Sequence, residues 1–438
     1  MRTDTRRSRV WRTTVVVIAT VLLTVSARAD EVENWNQQLF RTAMIGATSP
    51  LNTTRVGAIV QSAVFDALNG FERRYTPIRV GGAAPGGASQ DAAVAQAAYA
   101  TLVQLFPAQK AALDARLAVS LVEIGTHDSA AAIASGRAWG QSVADAILLW
   151  RSTDGFTPNP PPFLGSMAVG QWRPTPPAFA PGAGPQYAYM TPWVMLSPSQ
   201  FHPAGPPALT SAQYAIDFNE TKAVGRVDST VRTPDQTESA WFWASQSSNY
   251  VFNKVALTLL DNKGDEHPFD KEDSGGHGRY SSLDRAQLLA QLNLAMADAG
   301  IGCWEAKYAY TFWRPVTAIP LAATDNNPAT EADATWLPLF ATPAHPEYPS
   351  GHSCISGAAA AILADRFGDR THFTADSDTM LGVTRSFNSF SEALDDIKNA
   401  RIVAGIHFRT ATDHGQLLGQ SVAQWVLDHA VQPVGGKH

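Results

Sequence analysis

The sequence predicts an all-α protein in which helices pack as bundles around a large core. Apolar residues recur at helical spacing through most of the chain, whereas strand-like alternation is scarce. The length of 438 residues, with 45% hydrophobic and 16% charged residues, is enough to bury a sizeable core. Proline is concentrated in one long segment instead of being spread along the chain. Together these features predict helical bundles with long Pro-rich loop excursions.

Residues 1–29 have the pattern of a secretory signal peptide. Five arginines precede an apolar run from Val15 to Val25, and Ala27-Arg28-Ala29 provides a small-x-small cleavage site. The run is too short to span a bilayer comfortably. We therefore expect an exported protein, periplasmic or extracellular. Arg6-Arg7 leaves open whether export follows the general secretory or the twin-arginine route.

Loss of residues 1–29 makes the protein more acidic, because this segment carries six Arg and one Asp. The formal net charge changes from −6 to −11. A charge of this sign disfavours binding to nucleic acids and to anionic membranes. No later segment is long and apolar enough to span a bilayer, which argues against an integral membrane lipid phosphatase.

Residues 30–150 form an N-terminal helical region in this interpretation. Its apolar stripes and alanine-rich segments predict five helices. Their ranges are Asn34–Gly46, Thr54–Phe71, Asp91–Phe106, Gln109–Ile124 and Ser129–Trp150. The segment 151–207 contains half of the chain's 28 prolines and little periodicity. Its Trp and Tyr residues predict an ordered, largely non-helical excursion at the rim of an active-site entrance, although a linker between helical halves has the same composition.

Residues 208–438 form a second helical region, which carries the candidate site. The predicted helices are Ser211–Val224, Pro234–Leu260, Ser281–Ala299, Ser353–Phe367, Ser389–Ile406 and Thr412–His429. The segments Asn262–Tyr280 and Asn326–Pro346 are predicted to be loops. Gly300 and Gly302 predict the end of one helix before another that contains Lys307.

Ala344–Ser353 is the first of three polar clusters in this region. Ser350 and Gly351 precede a helix, so they offer a hydroxyl, free backbone N–H groups and the positive end of the helix dipole. His352 lies at the mouth of this anion-binding position. Taken alone, the pattern equally describes a helix N-cap beside a surface histidine.

The second cluster contains Lys307 and Arg314, seven residues apart among aromatic residues that include Trp304. Two helical turns separate them, so we expect them on one face of a helix that Pro315 ends. Two cations in such surroundings require an anion, unless both side chains extend to solvent.

The third cluster contains Arg401 and His407. Six residues on a straight helix separate their side chains, but Gly405 could end or bend the helix and bring them together. The alternative is a helix C-terminus that carries favourable positive charges.

Together the three clusters describe a site for phosphate or an ion of the same shape. The pattern Lys-x6-Arg-Pro, Pro-Ser-Gly-His and Arg-x5-His, over roughly residues 300–420, resembles one superfamily. Its members are the vanadium-dependent haloperoxidases, the type 2 phosphatidic acid phosphatases and the bacterial acid phosphatases. The haloperoxidase branch implies a vanadate cofactor, hydrogen peroxide and halide as substrates, a hypohalous acid as product and an organic acceptor.

The resemblance also implies a role for each matching residue. His407 bonds vanadium, His352 is the acid–base partner of the apical oxygen, and Lys307 polarises the peroxide. The residues that bind the vanadate oxygens are Lys307, Arg314, Ser350, Gly351 and Arg401. Trp304 and His345 belong to the halide and peroxide environment. Because bromoperoxidases resemble the chain at His345 whereas fungal chloroperoxidases have phenylalanine there, bromide is the favoured halide.

Two other functions remain possible from the sequence. A soluble acid phosphatase would use His407 as nucleophile and His352 as the acid for the leaving alcohol. The phosphatase pattern has an orienting aspartate where this chain has Ala411, and a serine where it has Ala400, so the group that orients His407 is unassigned. A non-enzymatic oxyanion-binding protein is the third reading, although a binder has little need for two histidines at one anion.

The remaining candidate groups have no matching motif. Cys303 and Cys354 flank the clusters and form either a disulfide or two buried thiols. Asp413 and His414 are interpreted as a cap of the last helix. Structural or surface roles are expected for His127, His202, His267, His277, His372, His414 and His429.

Overall fold

A computed structural model describes residues 30–245, 247–263, 280–377 and 379–435. Within these ranges it contains thirteen α-helices and one two-stranded sheet, so the all-α prediction is confirmed. The signal-peptide prediction for residues 1–29 lies outside the described residues, as do His267 and His277. No helix in the described part of the chain is long and apolar enough to cross a membrane.

Five helices occupy the N-terminal region, within a few residues of the predicted ranges. They are α1 (Glu31–Ile45), α2 (Pro50–Glu72), α3 (Gln90–Leu105), α4 (Lys110–Ile124) and α5 (Ala130–Arg151). The side chains of Asp30, Ser49, Ser89 and Ser129 accept backbone N–H bonds at four of the five N-termini. Local capping chemistry therefore fixes where these helices begin.

The Pro-rich segment that follows α5 contains only one short 3-10 helix, Pro185–Tyr189. Asp298, buried in α9 (Ser282–Tyr310), accepts the backbone N–H groups of Trp193, Val194 and Met195 at 2.7, 2.8 and 2.9 Å. The N–H of Trp172 donates to the carbonyl of Thr311 at 2.6 Å. These bonds tie an irregular segment to the central helix.

Helix α6 (Ala212–Val224) is followed by α7 (Pro234–Ser245) and α8 (Ser248–Lys263). The prediction of one helix from Pro234 to Leu260 is wrong, because the helical path is interrupted before Ser248. The interruption falls in a run of Ser, Gln and Asn, whose Ser and Asn side chains compete with the backbone for hydrogen bonds. Residues of both helices consequently face the cavity described below.

Helix α9 is the central element and packs against α2, α11 and α13. The predicted break at Gly300 and Gly302 is wrong: the helix runs unbroken for 29 residues from a Ser281–Asp284 capping box. A Cβ on Gly300 would lie 3.3 Å from Leu51 Cδ1 of α2. The glycine therefore serves close helix packing, which outweighs its low helix propensity.

The C-terminal region contains α10 (Pro315–Ala318), α11 (Gly351–Phe367), α12 (Phe390–Val403) and α13 (Arg409–His429). Helices α11 and α13 approach so closely that a Cβ on Gly419 would lie 2.1 Å from the Cys354 carbonyl. Strands β1 (Phe373–Asp376) and β2 (Thr384–Phe387) form an antiparallel hairpin that the sequence analysis did not predict. Four-residue strands are too short to show a clear alternation.

Candidate active site

The predicted site residues converge on one cavity of about 890 Å³. Six of them line it: Trp304, His345, Gly351, His352, Arg401 and His407. The other three, Lys307, Arg314 and Ser350, are completely buried next to it. Ala183, Gly184 and Gln186 of the Pro-rich segment also line the cavity. The three clusters thus meet in space although they are spread along the chain from Trp304 to His407.

Lys307 and Arg314 reach the site by a different route from the predicted one. They do not share a helix face, because α9 ends at Tyr310 and Thr311 adopts a left-handed φ of 48°. Arg314 is the N-cap residue of α10. The backbone between them pairs with the Pro-rich segment, where Trp313 N donates to the Gly170 carbonyl at 3.0 Å. The excursion therefore redirects the chain that carries Arg314.

Lys307 is held by backbone carbonyls. Its Nζ donates to those of Pro346 and Glu347, at 2.9 and 3.1 Å, and to that of Pro349. It also lies 5.5 Å from the ring centroid of Trp304. Burial lowers the pKa of Lys307 to about 8. The ammonium is thus fixed against the loop that leads into α11.

Arg314 connects the two loops that carry the candidate histidines. Its Nε donates to the His345 carbonyl at 2.9 Å, and its Nη1 donates to the Ile406 carbonyl at 2.7 Å. Nη1 also lies 3.1 Å from His407 Nε2, and Nη2 lies 3.0 Å from His345 Nδ1. Burial lowers the pKa of Arg314 to about 10. A guanidinium only donates hydrogen bonds, so both of these ring nitrogens must be acceptors.

The end of α12 brings His407 beside Arg401, as the sequence analysis anticipated. Helix α12 ends at Val403, and Gly405 has a φ of 73°, where a side chain is strained. A Cβ at Gly405 would also lie 2.4 Å from the Gly225 carbonyl. Helix α6 supports the loop, because Thr221 Oγ1 donates to the His407 carbonyl at 3.0 Å. His407 itself is 2% exposed.

Glu347 is a functional residue that the sequence analysis missed. Its Oε1 lies 2.9 Å from His407 Nδ1 and accepts the N–H of Phe408 at 2.9 Å. Because Nε2 of His407 accepts from Arg314, the ring proton resides on Nδ1 and is donated to Glu347. The carboxylate therefore orients His407 and leaves the Nε2 lone pair toward the cavity, as the partners of metal-binding histidines commonly do. Burial raises the pKa of Glu347 to about 7, and Arg314 opposes this rise.

Ser350, Gly351 and His352 occupy the start of α11, as predicted. Ser350 is the N-cap residue, and its side chain accepts the N–H of Ser353. A Cβ on Gly351 would lie 3.0 Å from the Trp304 ring, so the site requires glycine at this position. The Oγ of Ser353 is buried and has no hydrogen-bond partner. Burial, together with the charge of Arg401, lowers the pKa of His352 well below its ordinary value, so this imidazole is neutral.

Arg401 differs from the other two cations. It is 3% exposed, yet its Nε and Nη1 have no hydrogen-bond partner in the part of the chain that the structure describes. Burial and the nearby charge of Arg314 lower the pKa of Arg401 to about 9. Buried guanidinium nitrogens without acceptors are costly, so they indicate a position where an anion binds.

His345 and Trp304 are in contact, with ring centroids 4.9 Å apart. Burial and the cations Lys307 and Arg314 lower the pKa of His345 well below its ordinary value. With Nδ1 accepting from Arg314, His345 is a neutral ring whose other nitrogen carries the proton.

The structure also places the two cysteines and the neighbouring residues Asp413 and His414. Cys303 and Cys354 are both buried and unpaired, which selects free thiols over a disulfide. Asp413 and His414 do not cap α13, because that helix begins at Arg409. Instead Asp413 lies 3.2 Å from Lys398 Nζ, and His414 Nδ1 lies 2.5 Å from the Tyr348 hydroxyl.

The residues of the site fit a tetrahedral oxyanion. Three buried cations face one buried carboxylate, Glu347, so the site carries an excess of positive charge. The unpaired donors of Arg401, the Ser350 hydroxyl and the first N–H groups of α11 lie at the same site as His407, whose Nε2 lone pair accepts a hydrogen bond from Arg314 in this structure. Vanadate and phosphate share the shape and charge that such an arrangement accommodates.

Comparisons with known proteins agree with this geometry. Residues 287–436 match the family model described as the VCPO second helical-bundle domain. A vanadium chloroperoxidase from Curvularia inaequalis is 29% identical over 179 residues, which cover 35% of this chain and 28% of that relative's length.

Solved structures extend the similarity to most of the chain. A bacterial vanadium-dependent iodoperoxidase has a TM-score of 0.78 and 25% identity, with 93% of this chain and 98% of that chain covered. An apo-type bacterial vanadium-dependent chloroperoxidase has a TM-score of 0.64 and 15% identity, with 87% and 95% covered. The second of these similarities concerns the fold alone. The resemblance inferred from three short motifs is thereby confirmed.

Proposed function

We propose that this chain is a vanadium-dependent haloperoxidase, which uses bound vanadate and hydrogen peroxide to oxidise halide to a hypohalous acid. The observation that carries this proposal is the site around His407. A neutral imidazole with its Nε2 lone pair directed by Glu347 lies beside buried cations, and the unpaired donors of Arg401 need an anion. The similarity to the iodoperoxidase structure over 98% of its length supports the choice of chemistry.

Vanadate, when bound, supplies the Lewis-acidic centre at which hydrogen peroxide is activated toward halide. The chain's own residues hold it: His407 offers the Nε2 lone pair, and Arg314, Arg401 and Lys307 neutralise the oxygens. Ser350 and the Gly351 N–H add hydrogen bonds at the positive end of α11. Most of these donors are fixed before binding, which reduces the reorganisation required at the site.

His352 and Lys307 have different roles in the reaction of hydrogen peroxide. A neutral His352 can accept a proton from incoming hydrogen peroxide and return one to departing water. Lys307, whose three N–H groups donate to backbone carbonyls, would contribute through its positive charge to polarising a peroxide bound in the site. Trp304 and His345 form the wall where the halide approaches.

Bromide and iodide are the proposed halides, with weak chloride oxidation. His345 presents a polar N–H at this wall, whereas a phenyl ring would leave it drier. A less solvated chloride is easier to oxidise, so a polar wall disfavours the halide that is hardest to oxidise.

A phosphatase is the second candidate, and one observation favours it. The absence of an orienting aspartate at Ala411 argued against a phosphohistidine mechanism, but Glu347 supplies an equivalent carboxylate from another part of the chain. His407 Nε2 could therefore attack phosphorus while His352 protonates the leaving alcohol. Hydrolysis of p-nitrophenyl phosphate by vanadate-free protein, with loss in His407→Ala, is the outcome that this candidate requires.

We also propose export by means of residues 1–29. The basic start, the apolar run and the Ala-Arg-Ala site support this proposal. N-terminal sequencing of protein recovered outside the cytoplasm should begin at Asp30. Recovery of the intact N-terminus from the cytoplasm alone would contradict it.

The test of the main proposal is a bromination assay of protein stripped of metal. Stripped protein should be inactive with bromide and hydrogen peroxide and should regain activity with added orthovanadate. Phosphate should compete with this reactivation, because it has the same shape. Bromination that survives stripping and ignores orthovanadate is incompatible with the proposal.

A further inference from the structure

We propose that the enzyme holds its organic acceptor and that this acceptor is a neutral, electron-rich phenol bound in the cavity beside the site. The inference rests on the proposed haloperoxidase function and names the acceptor on which that function acts. The alternative is a hypohalous acid that leaves the protein and reacts in solution.

The size of the cavity is the first argument. Its volume of about 890 Å³ lies at the upper end of the roughly 300–1,000 Å³ found for small-molecule sites. A tetrahedral oxyanion, a peroxide and a halide fill only a small part of such a space. Room therefore remains for an organic molecule in contact with the reacting groups.

The walls away from the oxyanion-binding residues are apolar and aromatic. Trp241 of α7 is 47% exposed, and its ring lies 4.1 Å from that of Phe340 in an edge-on arrangement. Leu339, Pro343 and Pro50 continue the same surface. An exposed indole beside a phenyl ring at a cavity wall suits the face and edge of another aromatic ring.

The charge of the lining indicates a neutral occupant. Among the lining residues that the structure describes, the only titratable side chains are those of Arg401, His345, His352 and His407, which form the oxyanion site. A charged acceptor would thus enter the aromatic part of the cavity without a partner.

Asn249 identifies the polar group of the acceptor. This residue lies in the first turn of α8, lines the cavity and is 1% exposed. Neither its Oδ1 nor its Nδ2 has a hydrogen-bond partner among the described residues. An amide that must both accept and donate is matched by a hydroxyl, which donates to Oδ1 and accepts from Nδ2. A phenol combines this hydroxyl with an aromatic ring.

The reaction balances with the substrates already named. Halide, hydrogen peroxide, the phenol and one proton give the halogenated phenol and two waters. The halide loses two electrons to the O–O bond of the peroxide, which breaks. The carbon–halogen bond then forms at the ring as the C–H bond breaks, and that proton becomes part of the second water.

Binding of 2-naphthol to the vanadate-loaded enzyme, measured by calorimetry without peroxide, tests the proposal without turnover. We expect one equivalent to bind. Asn249→Leu and Trp241→Ala should each raise the Kd by about fivefold or more, as expected for loss of one hydrogen bond or one ring contact. Tyr189→Ala is the matched control, because this 80% exposed aromatic lies outside the cavity lining. The anion 6-hydroxy-2-naphthoate should bind more weakly than 2-naphthol.

Product analysis gives a second readout. The ratio of bromonaphthol isomers from the wild-type enzyme should differ from that of reagent hypobromous acid and should shift toward it in Asn249→Leu. Absent binding, equal Kd values in all variants, or an isomer ratio identical to the reagent's would each overturn the inference. Bromination of a small diketone by the wild-type enzyme tests the haloperoxidase function separately, so the two failures are distinguishable.

Discussion

The two sides of the oxyanion site differ in how their polar atoms are satisfied. On the paired side, Lys307, Arg314, Glu347 and His407 hydrogen-bond to one another or to backbone carbonyls. On the open side, Nε and Nη1 of Arg401 and Oγ of Ser353 are buried without partners. Both sides are equally withdrawn from solvent, so exposure does not explain the difference.

The paired side and the open side therefore have different roles in the site. The paired side is organised by the fold itself, which fixes the orientation of His407 before any ligand arrives. The open side has buried donors without a partner among the described residues, so we expect a bound anion to accept their hydrogen bonds. Substitutions on the two sides should therefore have different consequences for stability and for binding.

The largest expected effects concern the two histidines. His407→Ala should weaken vanadate binding by more than about 100-fold, since loss of an outer-shell partner alone costs roughly 10–100-fold. His352→Ala should retain vanadate within a few-fold but lose about 10²–10⁴ in turnover, as for a general acid–base group. Calorimetric titration and steady-state rates measure the two quantities. Equal loss of vanadate from both variants would show that this division of roles is wrong.

Glu347 tests whether the paired side orients His407. Glu347→Ala should weaken vanadate binding by about 10–100-fold. Glu347→Gln should retain most of the affinity, because its amide oxygen can still accept the Nδ1 proton. The carboxyl pKa is raised to about 7, so the wild type presents the Nε2 lone pair best above that pH. The vanadate affinity of the wild type, divided by that of Glu347→Gln, should therefore rise between about pH 6 and pH 8.

The ionisation of Glu347 should also affect the stability of the folded protein. Stability should fall as the pH rises, whereas the relative vanadate affinity of the wild type should increase. A carboxyl whose pKa is raised on folding contributes stability that is fully present below its ordinary value of 4.5 and is lost as pH rises through about 7. Relative to Glu347→Gln, the stripped wild type should thus lose melting temperature over this range. A pH-independent difference in both affinity and melting temperature would contradict the assigned role.

Arg314 and Arg401 provide the direct comparison of the two sides. Arg314→Met removes the hydrogen bonds to His407 and His345 and the charge that opposes the rise in the Glu347 pKa, which should destabilise the stripped protein by about 3–5 kcal/mol. Arg401→Met removes a buried cation with unpaired nitrogens, so the stripped protein should melt at the same or a higher temperature. Thermal unfolding of both variants without vanadate measures this. A lower melting temperature for Arg401→Met than for Arg314→Met would contradict the claim that the paired side, and not the open side, stabilises the stripped protein.

The smallest expected effect is on halide choice. His345→Phe should increase the rate with chloride relative to bromide by a few-fold, because a drier wall leaves chloride less solvated. Steady-state rates with each halide at matched peroxide concentrations measure the ratio. Chloride turnover comparable to bromide turnover in the unmodified enzyme would refute the halide proposal.

The sequence predicted those parts of the site that depend on local signals. Ser350-Gly351 at a helix start and Gly405 at a helix end are short patterns with fixed backbone consequences, and both positions agree with the structure. Glu347 was missed because its partner His407 lies 60 residues further along the chain. Arg314 was identified but assigned to the wrong element, because the Pro-rich segment that redirects its backbone shows no periodicity. The lining residues Trp241, Asn249 and Phe340 carry no motif, so only the fold brings them together.

The central claim is that unpaired donors on the open side and an oriented His407 on the paired side together bind one tetrahedral oxyanion. Calorimetric titration of stripped wild-type protein and of Arg401→Met with orthovanadate, with and without phosphate, tests this directly. We predict one vanadate per chain, competition by phosphate, and affinity at least about tenfold lower in Arg401→Met, the result expected when charge-assisted hydrogen bonds are lost. Absence of binding to the wild type, or binding that neither phosphate nor the Arg401 substitution alters, would contradict the account.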